Sequence, residues 1–140
     1  MKALYIPRSQ IDETLTTPPA QGKRGLEPFL AFAKTHNLPF QILEDTNVSD
    51  NNVEIHHKED DLWQCLEGEA IFLCDGKMGD TWLSKHKDGT ENSDEVRSKT
   101  IVGGVTYVLK PGDWLWIPAG VPHQHSAQGT ARLVIVKIPR

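Results

Sequence analysis

Short apolar runs separated by polar turn residues occupy most of the chain from residue 40 onward. Each run has three to six residues, which is the length of a strand and too short for a typical helix. Regular spacing of such runs predicts an antiparallel sandwich or barrel. The predicted strands are residues 40–43, 53–55, 62–66, 70–74, 105–109, 114–117 and 133–138.

Glycine marks several of the gaps between these predicted strands. Because glycine adopts the positive φ of tight hairpins without steric cost, we expect many of the strands to be joined as consecutive hairpins. Gly103-Gly104 lacks the lysine of a phosphate-binding loop and is interpreted as a hairpin turn or bulge. The predicted turns are Glu67-Gly68, Asp75-Gly76, Pro111-Gly112 and Gln128-Gly129.

The first 40 residues carry a different pattern. Apolar residues recur there at helical spacing, which predicts one short N-terminal helix over residues 26–36. A short apolar run at residues 3–6 ends at Pro7, which is typical of an edge strand or of a strand exchanged with a second chain. We therefore expect an arm and a helix over residues 1–40 and a barrel over residues 41–140.

Residues 75–99 interrupt the rhythm of the predicted strands with a long hydrophilic stretch. Loops of this length are uncommon unless they cover something, so the segment is interpreted either as a lid over the barrel mouth or as a solvated insertion. His86 lies between two lysines and is expected to be solvated.

Most of the large aromatic residues are assigned to packing in the core. They are Trp63, Phe72, Trp82, Trp114 and Trp116.

Composition narrows the functional classes. A chain of 140 residues with a hydrophobic fraction of 38% has the size and character of one globular domain. Its net charge of −4, without a basic cluster, argues against nucleic acid as a partner. No membrane span or secretory signal is visible, so we expect a cytoplasmic protein.

Cys65 and Cys74 match no zinc or redox spacing and are predicted to be buried free thiols.

Four of the six histidines form two tight clusters at the edges of predicted strands. These clusters are His56-His57 and His123-x-His125, and Asp61 closely follows the first. Neutral imidazole is a common ligand of transition metals, and a carboxylate completes a nitrogen and oxygen site. The same residues would also suit a polar pocket without metal. The metal interpretation is favoured because two histidine pairs and a carboxylate are hard to place as ordinary core residues.

Two segments resemble the two sequence motifs of the cupin superfamily. Glu54-Ile-His56-His57-Lys-Glu-Asp-Asp61 followed by Gly68 resembles the first, and Gly112 through Pro118-Ala-Gly120-Val-Pro-His123 resembles the second. The resemblance implies an all-β fold, an antiparallel double-stranded β-helix or jelly-roll barrel, built by residues 1–140 as a single small cupin domain. It also implies one divalent metal per chain, which would be Fe, Mn, Ni, Cu or Zn, held by three histidines and a glutamate.

The chain departs from the first motif at two ligand positions. It has no histidine at the first position, and it has Asp61 in place of glutamate. Either His56 or His57 fits the spacing before Asp61, and His56 is favoured. The metal ligands that the resemblance implies are therefore His56, His57, Asp61 and His123, with Glu54 as a possible further ligand.

Two further pairs of residues are assigned to the site. His125 and His57, where they bind no metal, are the candidate general acid or base because the pKa of imidazole lies near neutral pH. Trp63 and Cys65 lie two and four residues after Asp61, so on a regular strand they share its inward face. They are predicted to form the wall of the pocket.

The expected function is that of a metal-binding cupin acting on a small polar metabolite, with isomerase, lyase or dioxygenase chemistry at a mononuclear divalent metal. The alternative is a small-molecule binding or sensing barrel that needs no metal and catalyses nothing. The sequence leaves open whether the protein is an enzyme. The resemblance also implies a homodimer, because cupin-like barrels often pair through a sheet edge and residues 3–6 could add to a neighbour's sheet.

Overall fold

The computed structural model describes residues 2–140, which contain two short helices and twelve strands. Within these residues, neither helix has the length and apolar character that crossing a membrane requires. The helices are α1 (Arg8–Leu15) and α2 (Phe29–Thr35). The strands are β1 (Gly22–Gly25), β2 (Phe40–Val48), β3 (Val53–His56), β4 (Glu59–Glu67), β5 (Ala70–Cys74), β6 (Lys77–Met78), β7 (Thr81–Lys85), β8 (Glu91–Ser98), β9 (Ile101–Val102), β10 (Val105–Leu109), β11 (Trp114–Ile117) and β12 (His123–Pro139).

The long strand β12 joins two antiparallel sheets. Its C-terminal part pairs with β2 and β4, which gives a first sheet with the order β1-β2-β12-β4-β11. Its N-terminal part pairs with β3 and β5, which gives a second sheet with the order β7-β8-β3-β12-β5-β10. Strands β6 and β9 pair separately. The protein is thus mostly antiparallel β-sheet of the jelly-roll type, as predicted.

Side chains from both sheets meet in one hydrophobic core. Trp63 of the first sheet contacts Phe72 of the second, with ring centroids 5.2 Å apart. Cys65 and Cys74 are free and buried, as predicted, and burial raises the pKa of the Cys74 thiol to about 11. Burial of this apolar surface is the main contribution to folding stability. The core residues are Leu43, Trp63, Cys65, Ala70, Phe72, Cys74, Leu109, Ile117, Ala127, Ala131, Leu133 and Ile135.

Helix α2 packs against the first sheet in a second, smaller cluster. Phe29 and Ala33 lie one turn apart and are buried together with Ile42 of β2. Phe29 also stacks on Phe40 at a centroid distance of 5.8 Å. The helix predicted over residues 26–36 is therefore present. It begins three residues later and ends one residue earlier than predicted.

Strand β12 continues through Gln128-Gly129, where the sequence predicts a turn. The pairing of β12 with β2 shifts between Ala127 and Thr130, which is a β-bulge. The turn prediction is wrong because glycine inside a strand also marks a bulge. The bulge lies close to Gly68, where a Cβ atom would be 2.0 Å from the carbonyl oxygen of Thr130.

The N-terminal arm differs from the sequence prediction. Residues 3–6 form no strand, and Tyr5 is 84% exposed. Helix α1 was not predicted, because only Ile11 and Leu15 contribute an apolar face and two residues define no period. Arg132 of β12 holds the end of this helix by donating to the carbonyl oxygen of Leu15.

The hydrophilic segment 75–99 is largely structured. It forms β6, β7 and β8, and β8 pairs with β3, so the segment extends the second sheet. Much of this extension is polar, which hides the alternation that would reveal strands in the sequence. It therefore replaces the predicted long loop with a hairpin beside β3, and His86 at its tip is exposed as expected.

The aromatic residues divide between core and surface. Trp63 and Phe72 are buried, whereas Trp82, Trp114 and Trp116 are 41%, 56% and 55% exposed. The expectation that most of these rings belong to the core is therefore wrong. Alternate residues of a strand face opposite sides, and β11 directs its aliphatic residues inward and its two indoles outward.

Candidate metal centre

Polar residues from three strands meet between the two sheets. β3 supplies two side chains that share one face by the period of two, and β4 and β12 supply one each. Antiparallel pairing places His123 of β12 opposite Glu54 of β3. These residues form what we call the carboxylate–imidazole cluster, which consists of Glu54, His56, Asp61 and His123.

Three short distances join the cluster through the Nε2 atoms of its imidazoles. The Nε2 atom of His56 lies 3.6 Å from Oδ2 of Asp61 and 3.6 Å from Oε2 of Glu54. The Nε2 atom of His123 lies 3.4 Å from the same Asp61 oxygen. The side chains of Asp61 and His123 are only 2% and 3% exposed. The two imidazoles thus link the two carboxylates in a place where Asp61 and His123 are shielded from solvent.

These separations fit a metal ion. Metal–nitrogen distances of about 2.1 Å place two ligands of a tetrahedral ion about 3.4 Å apart, and the observed values are 3.4–3.6 Å. An imidazole nitrogen and a carboxylate oxygen at this distance both present lone pairs unless a proton or a cation lies between them. The donor set of two imidazoles and two carboxylates therefore suits a divalent transition metal. Two groups of three in the described residues could bind a metal, and His56 belongs to both. One is Glu54, His56 and His123, and the other is His56, Glu59 and Asp61.

The second motif positions both imidazoles. The Nδ1 atom of His123 is 3.0 Å from the carbonyl oxygen of Val121, so Nδ1 carries a proton and donates it there. In the neutral ring this leaves the Nε2 lone pair directed at the cluster. Gly120 has a φ of +85°, which favours glycine, and its N–H donates to the carbonyl oxygen of His56 at 2.8 Å. The corner before β12 is thereby tied to β3.

Lys137 also lies at the site, although it is not among the residues predicted from the sequence. It lies opposite Asp61 in the pairing of β12 with β4, and its Nζ donates to Oδ1 of Asp61 at 2.6 Å. Nζ is also 3.1 Å from Oε1 of Glu59 and 3.3 Å from Nε2 of His56. The available signal was a charged residue inside the apolar run of the last strand, since a charge there usually has a buried partner.

The charges of these residues follow from their mutual contacts. Burial raises the pKa of Asp61, but contact with the His123 ring and the charges of Lys137 and His56 outweigh burial and lower this pKa to about 2. Burial and the Lys137 charge lower the pKa of His56 below 6.5. Burial lowers the pKa of Lys137, but Asp61 and Glu59 together raise it above 10.5. At neutral pH Asp61 is therefore anionic, Lys137 is cationic and His56 is mainly neutral.

His57 lies outside the cluster. β3 ends at His56, whose side chain is 11% exposed, and the following residue His57 is exposed. Within residues 2–140 it belongs to neither group of potential metal ligands. The structure therefore does not bring His57 to the other predicted ligands, because consecutive residues at the end of a strand face opposite sides.

His125 forms a separate buried pair with Asp45 of β2. Its Nδ1 donates to Oδ2 of Asp45, and the side-chain amide of Asn51 donates to its Nε2 at 3.2 Å. The ring packs against Trp63 and Phe72 at centroid distances of 5.2 and 5.5 Å. Both ring nitrogens have partners and the imidazole is enclosed in the core. This arrangement does not favour the predicted role of His125 as a general acid or base, which stays a prediction.

A polar cavity of about 400 Å³ opens beside the cluster. The predicted wall residues Trp63 and Cys65 are not part of its lining; Trp63 packs on His125, and the thiol of Cys65 donates to the carbonyl oxygen of Gly68 at 3.4 Å. The extension of the second sheet supplies half of the lining instead. The lining residues are His56, Lys58, Glu59, His86, Asn92, Asp94, Glu95 and Lys137.

Comparisons with known proteins agree with this architecture. The family model described as "Cupin domain" (Cupin_2) matches residues 97–139, which include the second motif and His123. No curated protein sequence matches the chain significantly.

Solved structures match the chain at low sequence identity. A structure of oxalate oxidase is 16% identical, with a TM-score of 0.51, and the match covers 90% of this chain and 57% of that one. A DMSP lyase structure is 13% identical, with a TM-score of 0.46 and coverage of 71% and 37%. A structure of Fe(II)-HppE is 16% identical, with a TM-score of 0.47 and coverage of 71% and 41%. The chain thus spans between about a third and three fifths of the length of these proteins.

The match to oxalate oxidase concerns the fold alone. It agrees with the two sheets that share β12, and the family match covers the segment in which Gly120 and His123 lie. The family match over residues 97–139 and the fold support a place for the chain in the cupin superfamily.

Proposed function

We propose that the protein binds one divalent transition metal ion through Glu54, His56, Asp61 and His123. The observation that supports this most directly is the position of Asp61 Oδ2, which lies 3.4–3.6 Å from two imidazole Nε2 atoms. Each of these atoms has a lone pair available for a cation in the neutral rings, and their spacing matches the ligand separation of a small metal ion. His57 is not part of this ligand set.

Two imidazoles and two carboxylates form a donor set of intermediate hardness. Such a set binds Fe, Mn, Ni, Cu or Zn, and geometry alone selects none of them. Mg²⁺ and Ca²⁺ are less suitable because they prefer a shell made of oxygen ligands. The proposed cofactor is therefore one transition metal per chain, with an identity that must be measured.

We propose further that the substrate is a small polar metabolite that binds in the 400 Å³ cavity. The cavity reaches the cluster at His56 and is lined almost entirely by charged and polar side chains, which would exchange hydrogen bonds with such a molecule. A bound metal would supply Lewis acidity for isomerase or lyase chemistry, or a dioxygen-binding centre for a dioxygenase. Lys58 and Lys137 would orient anionic or carbonyl oxygens of the substrate.

A second candidate is a small-molecule binding or sensing barrel without metal. The ammonium of Lys137 favours it, because a cation already neutralises Asp61 at 2.6 Å. In this candidate the imidazoles and Lys137 would recognise the ligand by hydrogen bonds, and no catalysis would occur. The two functions differ in whether the purified protein takes up metal.

Elemental analysis of the purified, untagged protein tests the proposal. We expect close to one equivalent of a transition metal per chain in the wild type. We expect loss of most of this metal in His123→Ala, because that substitution removes a ligand and leaves Asp61 with one imidazole. His57→Ala is the matched control, since it removes an exposed imidazole of the same motif and should retain the metal.

The outcomes separate the two candidates. Metal in the wild type and in His57→Ala but not in His123→Ala supports the cluster as the binding site. Equal loss in both variants contradicts the ligand set. A wild-type protein that is empty and takes up no added Zn²⁺, Mn²⁺ or Fe²⁺ contradicts metal binding and favours the metal-free barrel.

A further inference from the structure

The ammonium of Lys137 contacts two of the residues that would bind a metal ion in the cluster. Its Nζ lies 2.6 Å from Oδ1 of Asp61 and 3.3 Å from Nε2 of His56. Both of these residues belong to the proposed ligand set. A lysine that contacts two ligands of one site influences what else those ligands can bind.

The contact with His56 excludes simultaneous metal binding at the same atom. An imidazole Nε2 has one lone pair, which can accept a hydrogen bond from Lys137 or bind a metal, but not both. The Asp61 carboxylate is less exclusive, because Lys137 contacts Oδ1 whereas the imidazoles face Oδ2. Metal binding therefore requires Lys137 to give up at least its contact with His56.

Electrostatic repulsion acts in the same direction. A divalent ion at the cluster would lie within a few ångströms of the ammonium, and like charges at that distance in a partly buried site repel strongly. Glu59 provides a place for the displaced ammonium, since its Oε1 is already 3.1 Å from Nζ. Glu59 and Lys137 both line the polar cavity, so the ammonium can keep its contact with Glu59 when it gives up His56.

We propose that Lys137 is a built-in competitor of the metal, an internal cation that stabilises the metal-free site and lowers its affinity for metal. This inference rests on the metal site proposed above. The ammonium neutralises Asp61 while the site is empty and moves to Glu59 when a metal ion enters. The affinity of the site is thereby set below the value that its four ligands alone would give.

The test is a titration of metal-free protein with Zn²⁺ and Mn²⁺, followed by competition with a chromophoric chelator. Lys137→Met keeps the length of the side chain and removes the charge, and we expect it to bind metal at least about tenfold more tightly than the wild type. Lys58→Met is the matched control. Lys58 lines the same cavity but is 70% exposed and pairs with Asp94 at 3.2 Å, so its removal should change the affinity much less.

Thermal unfolding provides a second measurement that does not depend on activity. Without metal, Lys137→Met should unfold at a lower temperature than the wild type, because Asp61 loses its cation. Saturating Zn²⁺ should raise the unfolding temperature of Lys137→Met more than that of the wild type, because tighter binding stabilises the folded state more. Lys137→Arg retains the charge. Its unfolding temperature without metal, and the increase in that temperature with Zn²⁺, should both be close to those of the wild type.

Each outcome bears on a defined claim. Tighter binding by Lys137→Met, including binding that appears only in this variant, supports the inference. Unchanged or weaker binding by a folded Lys137→Met, in a protein whose wild type does bind metal, overturns the inference and leaves the proposed metal site standing. If neither the wild type nor Lys137→Met binds metal, both proposals are overturned.

Discussion

His125 donates its Nδ1 proton to Asp45, and the two side chains form a buried pair between the sheets. The second oxygen of this carboxylate, Oδ1, has no hydrogen-bond partner within the described residues. The pair is therefore incompletely satisfied, and removing either member alone leaves the other buried without its main partner. This arrangement favours a structural role for His125, although the sequence suggested a catalytic one.

Substitution of this pair separates the two roles. His125→Phe fits between Trp63 and Phe72 but leaves Asp45 unpaired, and we expect a loss of about 3 kcal/mol in the free energy of unfolding, measured in urea. The double variant Asp45→Leu/His125→Phe replaces both polar groups and should recover most of this loss. A double variant as unstable as His125→Phe would contradict the structural account.

The ion pair of Glu44 with Arg132 predicts a dependence of stability on pH. Burial raises the pKa of Glu44, but hydrogen bonds from the backbone of Ala20 and from Arg24 and Arg132 outweigh burial and lower this pKa below 4.5. A carboxyl group whose pKa is lowered by folding stabilises the protein above its unfolded pKa and loses this contribution as the pH falls further. We therefore expect the free energy of unfolding to decrease progressively below about pH 4.5.

Glu44→Gln is the corresponding variant. It leaves the buried guanidinium of Arg132 without its buried counterion, so that only the half-exposed Glu67 and the carbonyl oxygens of Leu15 and Thr17 remain near it. We expect a loss of about 3 kcal/mol at pH 7 and a weaker acid dependence than in the wild type, measured by chemical unfolding at several pH values. Glu67→Gln, on a half-exposed carboxylate 3.6 Å from Arg132, is the control and should cost less than about 1 kcal/mol.

Two glycines predict a contrast in stability. Gly68 has a φ of +70°, and a Cβ there would meet the carbonyl oxygen of Thr130 at 2.0 Å, whereas Gly112 has a φ of +94° and open space around it. Gly112→Ala should therefore cost only about 1–2 kcal/mol for the unfavourable φ. Gly68→Ala must in addition move β12 at its bulge and should cost clearly more. Equal losses in urea unfolding would show that β12 adapts freely at this point.

The homodimer stays a prediction. Leu4 and Tyr5 are exposed, and residues 3–6 pair with no strand of the described chain. β10 pairs only with β5, and it is an edge without charged residues, so we expect the arm of a second copy to add there. Light scattering at micromolar concentration should give a dimer for the wild type and a monomer for Tyr5→Lys. A monomeric wild type would contradict the prediction.

Local sequence information was sufficient for much of the fold. The strands β5, β10 and β11 lie where their apolar runs predict them, because burial of alternate or consecutive side chains leaves a direct trace in the sequence. The second motif was also informative, because a glycine at a positive φ and a histidine three residues later depend mainly on local backbone geometry. The resemblance to the two cupin motifs supplied the candidate ligands His56, Asp61 and His123 with Glu54, and it also supplied His57, which lies outside the cluster.

Other features depended on which strands become neighbours. Lys137 joins the site only because the register of β12 against β4 places it opposite Asp61, and 76 residues separate the two in sequence. The separation of His57 and His125 from the cluster likewise depends on where β3 ends and on what β2 presents to β12. The sequence by itself determined strands such as β5, β10 and β11, the corner at Gly120 and the residue types of the site. Only the tertiary structure decided which imidazoles face Asp61 and which cation lies beside it, because those contacts follow from sheet register.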